Sequence, residues 1–287
     1  MIIPVKKLKN GFEIPTLGLG TWLIGGDKVR NPQNNDPTDI KAIEQVVSMG
    51  ITHIDTAENY AEGHTEEIVG QAIKNFKRES LFLVSKVDKT HLGYDNLLSS
   101  CQKSLERLQT NYLDLYLIHA PNDEIPEEET LRALDKLLKQ GLIKNIGVSN
   151  FKTERLIRFQ KQTNHKLVVN QVYYNLVIRE PEKDGLLDYC QNNDTILTAY
   201  RPIEQNKLPE SQFLRDLARK YGKTPIQIAL NWLVSQENVI VIPKMLSPDH
   251  VKENLGALNW KMDKEDIELL RRDFPGQQEK SGILPLR

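Results

Sequence analysis

Four residues with the chemistry of a proton donor and its supports stand after short apolar runs in the first half of the chain. Asp55 ends Ile51-Thr-His-Ile-Asp55, and Tyr60 follows in the next loop. Lys86 ends Leu81-Phe-Leu-Val-Ser-Lys86, and His119 follows Leu113-Asp-Leu-Tyr-Leu-Ile118. A lysine taken out of water needs a counter-ion, which Asp55 supplies. A protonated Lys86 beside Tyr60 favours tyrosinate, lowering the phenol pKa from about 10 toward the working range of an acid catalyst. His119 then donates a hydrogen bond to a carbonyl oxygen and orients it. Together the four place a proton on a developing alkoxide. Taken singly, each has a plain structural reading: Asp55 as a helix cap, Tyr60 as an aromatic lid, Lys86 as a surface lysine, His119 as a satisfied core histidine.

The second half carries a different set at equivalent places. Ser149 and Asn150 follow Ile-Gly-Val, Gln171 follows Val-Val-Asn, and Tyr200 follows Ile-Leu-Thr-Ala. Lys244 follows Val-Ile-Val-Ile-Pro and lies just before Ser247-Pro248, a capped helix start. Amides and a hydroxyl, a flat ring for stacking, and a cation beside a helix N-terminus suit a long polar cofactor with phosphates. A proton donor next to a stacked heterocycle points to hydride transfer to a carbonyl. No carboxylate pair, nucleophile elbow or His-x-x-His spacing competes, so no metal site is expected. A hydrolase using His119 with Glu58 or Glu62 lacks a nucleophile or metal.

Polar groups aligned at the ends of so many apolar runs need a repeated architecture. Runs begin near residues 17, 51, 81, 113, 143, 167, 196 and 239, with helical patterns at 65–76, 94–108, 130–140, 153–160, 184–192 and 212–221. Further helix starts are read at Asp36-Pro37, with Asp36 as N-cap, and at Thr224-Pro225. A βα unit takes on the order of 30 residues, and the spacing holds to that. Eight such units in 287 residues predict one (β/α)8 barrel domain over 1–287, with an N-terminal hairpin turning at Asn10-Gly11. An open doubly wound sheet would want a GxGxxG turn after its first strand, and Gly18-Leu-Gly-Thr-Trp-Leu23 lacks the third glycine.

With 38 basic against 39 acidic residues, no net field calls for nucleic acid or a membrane surface. No stretch approaches the roughly 18 apolar residues of a membrane span, and the N-terminus is unlike a secretory signal. Cys101 and Cys190 are expected as buried, reduced thiols, which with the missing signal places the protein in the cytoplasm.

The chain resembles the aldo-keto reductases over nearly its whole length. The resemblance rests on Leu17-Gly-Leu-Gly-Thr-Trp22, Asp55-Thr-Ala-Glu-Asn-Tyr60, Ser85-Lys86-Val87, Leu117-Ile-His119, Ile146-Gly-Val-Ser-Asn-Phe151, Asn170-Gln171, Ile242-Pro-Lys244 and Glu253-Asn254. It implies a monomeric NAD(P)H-dependent reductase whose catalytic tetrad is Asp55, Tyr60, Lys86 and His119, with Tyr60 as general acid. It places Ser149, Asn150 and Gln171 on the nicotinamide carboxamide and Tyr200 on its ring. Glu253 and Asn254 fall on adenine contacts, Thr21 and Ser247 join the cofactor set, and Trp22 walls the substrate pocket beside His119. Where the family usually has Ser and Arg to grip a 2′-phosphate, this chain has Met245 and His250. Arg201 stands where a small residue is usual. Lys244, Arg201 and His250 are left to supply the charge, so NADPH is expected with a weakened preference over NADH. The short loop after His119 and the brief tail after Phe274 imply an open mouth and small aldehydes, dicarbonyls or keto-sugars. The same fold as a nicotinamide-binding regulatory subunit is the alternative, and its signature, a missing tetrad member or an added segment, is not seen.

Overall fold

The computed structural model describes residues 2–204 and 211–287. A two-stranded hairpin, β1 (Val5–Lys7) and β2 (Glu13–Pro15), precedes eight parallel strands. These are β3 (Leu19–Gly20), β4 (His53–Asp55), β5 (Phe82–Val87), β6 (Leu115–Ile118), β7 (Ile146–Ser149), β8 (Leu167–Tyr173), β9 (Ile196–Tyr200) and β10 (Val239–Val241). Each pairs with the next in chain order. The cylinder closes ahead of β3, where Leu17 bridges Val241 in parallel, Gly18 N donates to Val241 O at 2.9 Å and Val241 N to Thr16 O at 3.0 Å. The (β/α)8 barrel with its N-terminal hairpin is therefore present.

Helices wrap the outside: α1 (Asp36–Ser48), α2 (His64–Ile73), α3 (Tyr94–Leu108), α4 (Glu127–Lys139), α5 (Thr153–Lys161), α6 (Glu180–Lys183), α7 (Leu186–Asn192), α8 (Gln212–Tyr221), α9 (Pro225–Val234), α10 (Pro248–Leu255) and α11 (Lys264–Asp273). Two apolar clusters divide the core. One fills the layer between strands and helices. The other unites Val84, Leu115, Leu117, Val169, Ile196 and Ile240 with Leu8, Phe12 and Ile14 of the hairpin. The hairpin thus plugs the end where the strands begin, and the opposite end is the mouth. Cys101 of α3 and Cys190 of α7 are both buried and unbonded to each other. No helix among the described residues is long and apolar enough to cross a membrane.

Several local readings change. The hairpin turns over Lys9, Asn10 and Gly11, with Leu8 N bonded to Phe12 O at 2.9 Å and Gly11 at φ 89. This is a three-residue loop ending in a left-handed glycine rather than a two-residue turn. Asn35, not Asp36, caps α1 and accepts from Thr38 N at 3.2 Å. Asp36 instead faces His64 Nε2 at 2.9 Å, whose other ring nitrogen lies 2.7 Å from Glu67, joining α1 to α2.

Candidate active site

β4 and β5 lie side by side, pairing Asp55 with Val84, so Asp55 and Lys86 emerge on adjacent strands at one level of the barrel. Asp55 is 2% exposed and Lys86 fully buried. Lys86 Nζ donates to Asp55 Oδ1 at 2.5 Å, to the Thr56 carbonyl at 2.7 Å and to Tyr60 Oη at 3.3 Å. Its three hydrogens are all used. Because Lys86 donates to the phenol oxygen, the phenol's own hydrogen is left free to donate elsewhere.

Tyr60 is held from three sides. Its ring meets Trp22 edge-on at 4.8 Å and His119 edge-on at 5.6 Å. It opens a single helical turn in which Ala61 and Glu62 adopt left-handed φ of 48° and 58°. Such backbone persists where neighbours impose it. Here Ala61 N donates to Asp27 O and Glu62 N to Lys28 O at 3.0 Å, tying the turn to the loop that carries Trp22.

The expected lowering of the Tyr60 pKa is not found. Burial raises it above 10.0; Lys86 pulls it down, and the Asp55 charge pushes it up again. The hydration lost on burial outweighs the pull of the cation. Burial opposes the charge on Lys86 too, but Asp55 and Tyr60 outweigh it and its pKa lies above 10.5. His119, half-buried just past β6, is pushed down to about 3 by burial and by Lys86. Its Nδ1 has no hydrogen-bond partner among the described residues. A neutral imidazole, a neutral phenol and a charged, fully bonded lysine therefore face one point. Glu58 accepts from Asp88 N at 2.6 Å and Glu62 from Arg30 N at 3.3 Å, so neither carboxylate is directed at His119.

The second set surrounds the first. Gln171 sits within β8, two residues before its end, and its Nε2 donates to Asp55 Oδ2 at 2.7 Å. Ser149 Oγ donates to Gln171 O at 2.8 Å; Asn150 Nδ2 donates to Ser149 Oγ at 3.0 Å and to His119 O at 3.1 Å. Tyr200 Oη donates to Asn150 Oδ1 at 2.8 Å, and its half-buried ring stacks on Tyr173 at 5.5 Å. Thr21 Oγ1 donates to the Asp55 carbonyl at 2.9 Å. Eight of the residues singled out by type are thus joined in one bonded array: Asp55, Tyr60, Lys86, Gln171, Ser149, Asn150, Tyr200 and, through its main-chain oxygen, His119.

Farther out, Lys244 Nζ donates to Leu23 O at 3.1 Å, so the β10 exit reaches the Trp22 loop. Ser247 caps α10 by accepting from His250 N at 3.2 Å, and His250 is exposed. The Arg201 guanidinium lies over the Tyr173 ring at 5.6 Å, and its charge offsets a small part of the rise that burial imposes on the Tyr60 pKa. Glu253 and Asn254 are engaged away from the strand ends. Glu253 accepts from Thr224 Oγ1 at 3.0 Å, and Asn254 is buried against Met245 Sδ at 3.5 Å. Residue types gave no sign of the Thr56 carbonyl, a main-chain acceptor visible only once β4 and β5 are paired.

A phenol, a buried ammonium, a neutral imidazole and an amide-hydroxyl array at the C-terminal mouth of a (β/α)8 barrel define a carbonyl oxidoreductase. The chain matches the model of the aldo/keto reductase family over residues 16–272, and it belongs to that family. It is 37% identical to glyoxal reductase of Bacillus subtilis over 97% of this chain and 95% of the relative. It is 34% identical to methylglyoxal reductase YeaE of Escherichia coli, over 96% and 97%. Among solved structures it is similar to a thermostable aldo-keto reductase in complex with the inhibitor epalrestat. That match has a TM-score of 0.91 at 47% identity, covering 93% of this chain and 98% of the other. An aldo-keto reductase of Klebsiella pneumoniae in complex with NADPH aligns with a TM-score of 0.85 at 36% identity, covering 98% of each.

Proposed function

We propose that the protein reduces small aldehydes and ketones, dicarbonyls among them, to alcohols with NADPH, and that Tyr60 is the general acid. The observation that carries this is the Lys86 ammonium, held between Asp55 at 2.5 Å and the Tyr60 hydroxyl at 3.3 Å. The names of the relatives, glyoxal and methylglyoxal reductase, support the substrate class.

The residues present fit the cofactor. Asn150 Oδ1 accepts one bond from Tyr200, which leaves a lone pair for an amide N–H such as a carboxamide offers. Ser149 and Gln171 flank it, and Tyr200 presents a half-buried ring. Lys244, Arg201 and the Ser247-capped start of α10 are the groups for the phosphates, with His250 on the first turn of that helix. Thr21, Glu253 and Asn254 remain assigned to the cofactor by family position. When bound, the dinucleotide supplies the hydride. The chain supplies the rest. Trp22 and His119 wall the substrate, and His119, neutral, donates a hydrogen bond to its carbonyl oxygen. Tyr60 hands its proton to that oxygen as negative charge develops there, and Lys86 stabilises the phenolate left behind. Asp55 keeps Lys86 charged and in place. The protein works as one domain, as a monomer in the cytoplasm, without metal, membrane or nucleic acid.

Turnover of methylglyoxal by Tyr60→Phe tests the assignment. The rate at saturating NADPH should fall about a thousandfold, with the NADPH Kd unchanged. Turnover within tenfold of wild type removes Tyr60 as the acid. A second test concerns the 2′-phosphate. His250→Arg adds a permanent cation and should raise the NADPH:NADH ratio of kcat/KM by about tenfold. An unchanged ratio means that this turn of α10 does not face the phosphate.

A further inference from the structure

Beyond α11 the chain runs back to the loop that carries Asn150. Gln278 bridges Ile178 in parallel, with Gln278 N donating to Val177 O at 2.7 Å and Arg179 N to Gln278 O at 2.9 Å. Ser281 N and Leu286 N then donate to the two carboxylate oxygens of Glu180, at 3.0 and 3.2 Å. Glu180 opens α6 and is buried. Ser281 Oγ closes the turn between them, accepting from Ile283 N and Leu284 N. One carboxylate thus grips both ends of a short strap.

The strap ends on the cofactor array. Arg287 N donates to Asn150 O at 3.0 Å, and Lys152 N to Arg287 O at 3.0 Å. Asn150 stands at φ 62, a left-handed backbone that a residue with a side chain keeps only when held there. Its own N–H donates to Gln171 O at 2.9 Å, so the residue is clamped by β8 on one side and by the strap on the other. That backbone sets where its side-chain amide meets Ser149, His119 and Tyr200. The charge-assisted bonds that the buried Glu180 carboxylate accepts are the strongest links in the strap.

We propose that Glu180 is a positioning residue for cofactor binding: by fastening segment 281–287 it holds Asn150 where its amide receives the nicotinamide carboxamide. This rests on the reading of Ser149, Asn150 and Gln171 as the carboxamide's contacts. Glu180 touches neither cofactor nor substrate. Its effect is on the affinity for the dinucleotide more than on the rate of the chemical step.

The test pairs Glu180→Gln with a change in the cofactor. Glutamine keeps one acceptor oxygen and turns an NH2 toward the other backbone N–H. Kd and KM for NADPH should rise about tenfold, with kcat falling much less. The same variant is measured with the reduced 3-acetylpyridine analogue, whose acetyl group replaces the carboxamide. Wild type should bind that analogue more weakly than NADPH, and Glu180→Gln should cost it no more than about twofold, because the coupled contact is already gone. Leu286→Pro deletes one strap N–H and leaves Glu180 intact; it should give the same pattern and serves if Glu180→Gln does not fold. Equal losses for both cofactors, or no loss for either, overturn the strap's role while wild type still distinguishes them. Wild type that binds both equally overturns the carboxamide assignment itself.

Discussion

Lys86 donates all of its hydrogens, and that determines how the reaction centre responds to pH. The folded pKa of Tyr60 lies above 10.0 and that of Lys86 above 10.5. A group whose folded pKa is raised keeps its protonated form, and the stability it contributes is complete below the unfolded value and lost as pH rises through the folded one. Reduction should therefore be flat in kcat/KM across neutral pH on account of these two groups and fall only above pH 10. A break near pH 7 in Tyr60-dependent turnover would contradict the burial-raised phenol. Replacing the cation is costlier than replacing the acid. Lys86→Met leaves Asp55 buried without its counter-charge and should destabilise the fold by about 3–5 kcal/mol, read from urea unfolding. Tyr60→Phe leaves that pair intact and should unfold near wild type. At this scale the sequence pointed to Asp55, Lys86 and His119 because each stands at the end of an apolar run, and to Tyr60 in the loop after one. It gave the wrong direction for Tyr60, because the water excluded by Trp22, His119 and the Asp27–Lys28 contacts depends on how distant segments pack.

At the scale of elements, β3 is a close joint. It is two residues long, and a Cβ on Gly20 would sit 2.6 Å from the Ile242 carbonyl of the strand-closing segment. Gly20→Ala should force the first and last strands apart, at a cost of about 1–3 kcal/mol. Because Thr21 and Trp22 follow directly, KM for the carbonyl substrate should rise as well. A variant with wild-type Tm and KM would show that the joint yields freely. The close backbone approach was readable from the glycines of Leu17-Gly-Leu-Gly. Helix caps were less so: Asn35 and Asp36 are both good capping residues, and the choice was made by His64, which draws Asp36 away to α2. The extension of β8 to Tyr173 and the short α6 had no periodic signal strong enough to mark them.

For the whole molecule, the even spacing of apolar runs determines the barrel, and that spacing is a property of the sequence alone. Contacts that close the molecule are not. The strap from Glu180 to Arg287 and the plug of Leu8, Phe12 and Ile14 at the opposite end join residues with no local relation. Closure also traps His53 at the plugged end, 1% exposed, against Phe82 at 5.4 Å. Burial pushes its pKa down to about 4. A base with a depressed folded pKa stays neutral while the unfolded chain takes a proton, so stability is lost as pH falls from 6.5 toward 4 and levels below that. Each unit of that fall costs up to about 1.4 kcal/mol from His53. Nitrogen-15 imidazole spectra should show His53 neutral at pH 5, and a charged ring there would contradict its burial.

The buried cysteines have a consequence for an enzyme that reduces carbonyl compounds. Such electrophiles form adducts with thiolates and free amines. The thiols of Cys101 and Cys190 are out of solvent and pushed up to about 12, so at neutral pH they offer no thiolate to capture. The amine at the reaction centre is charged and fully bonded. The two sulfurs and Lys86 thereby offer no group in the form that adds to a carbonyl.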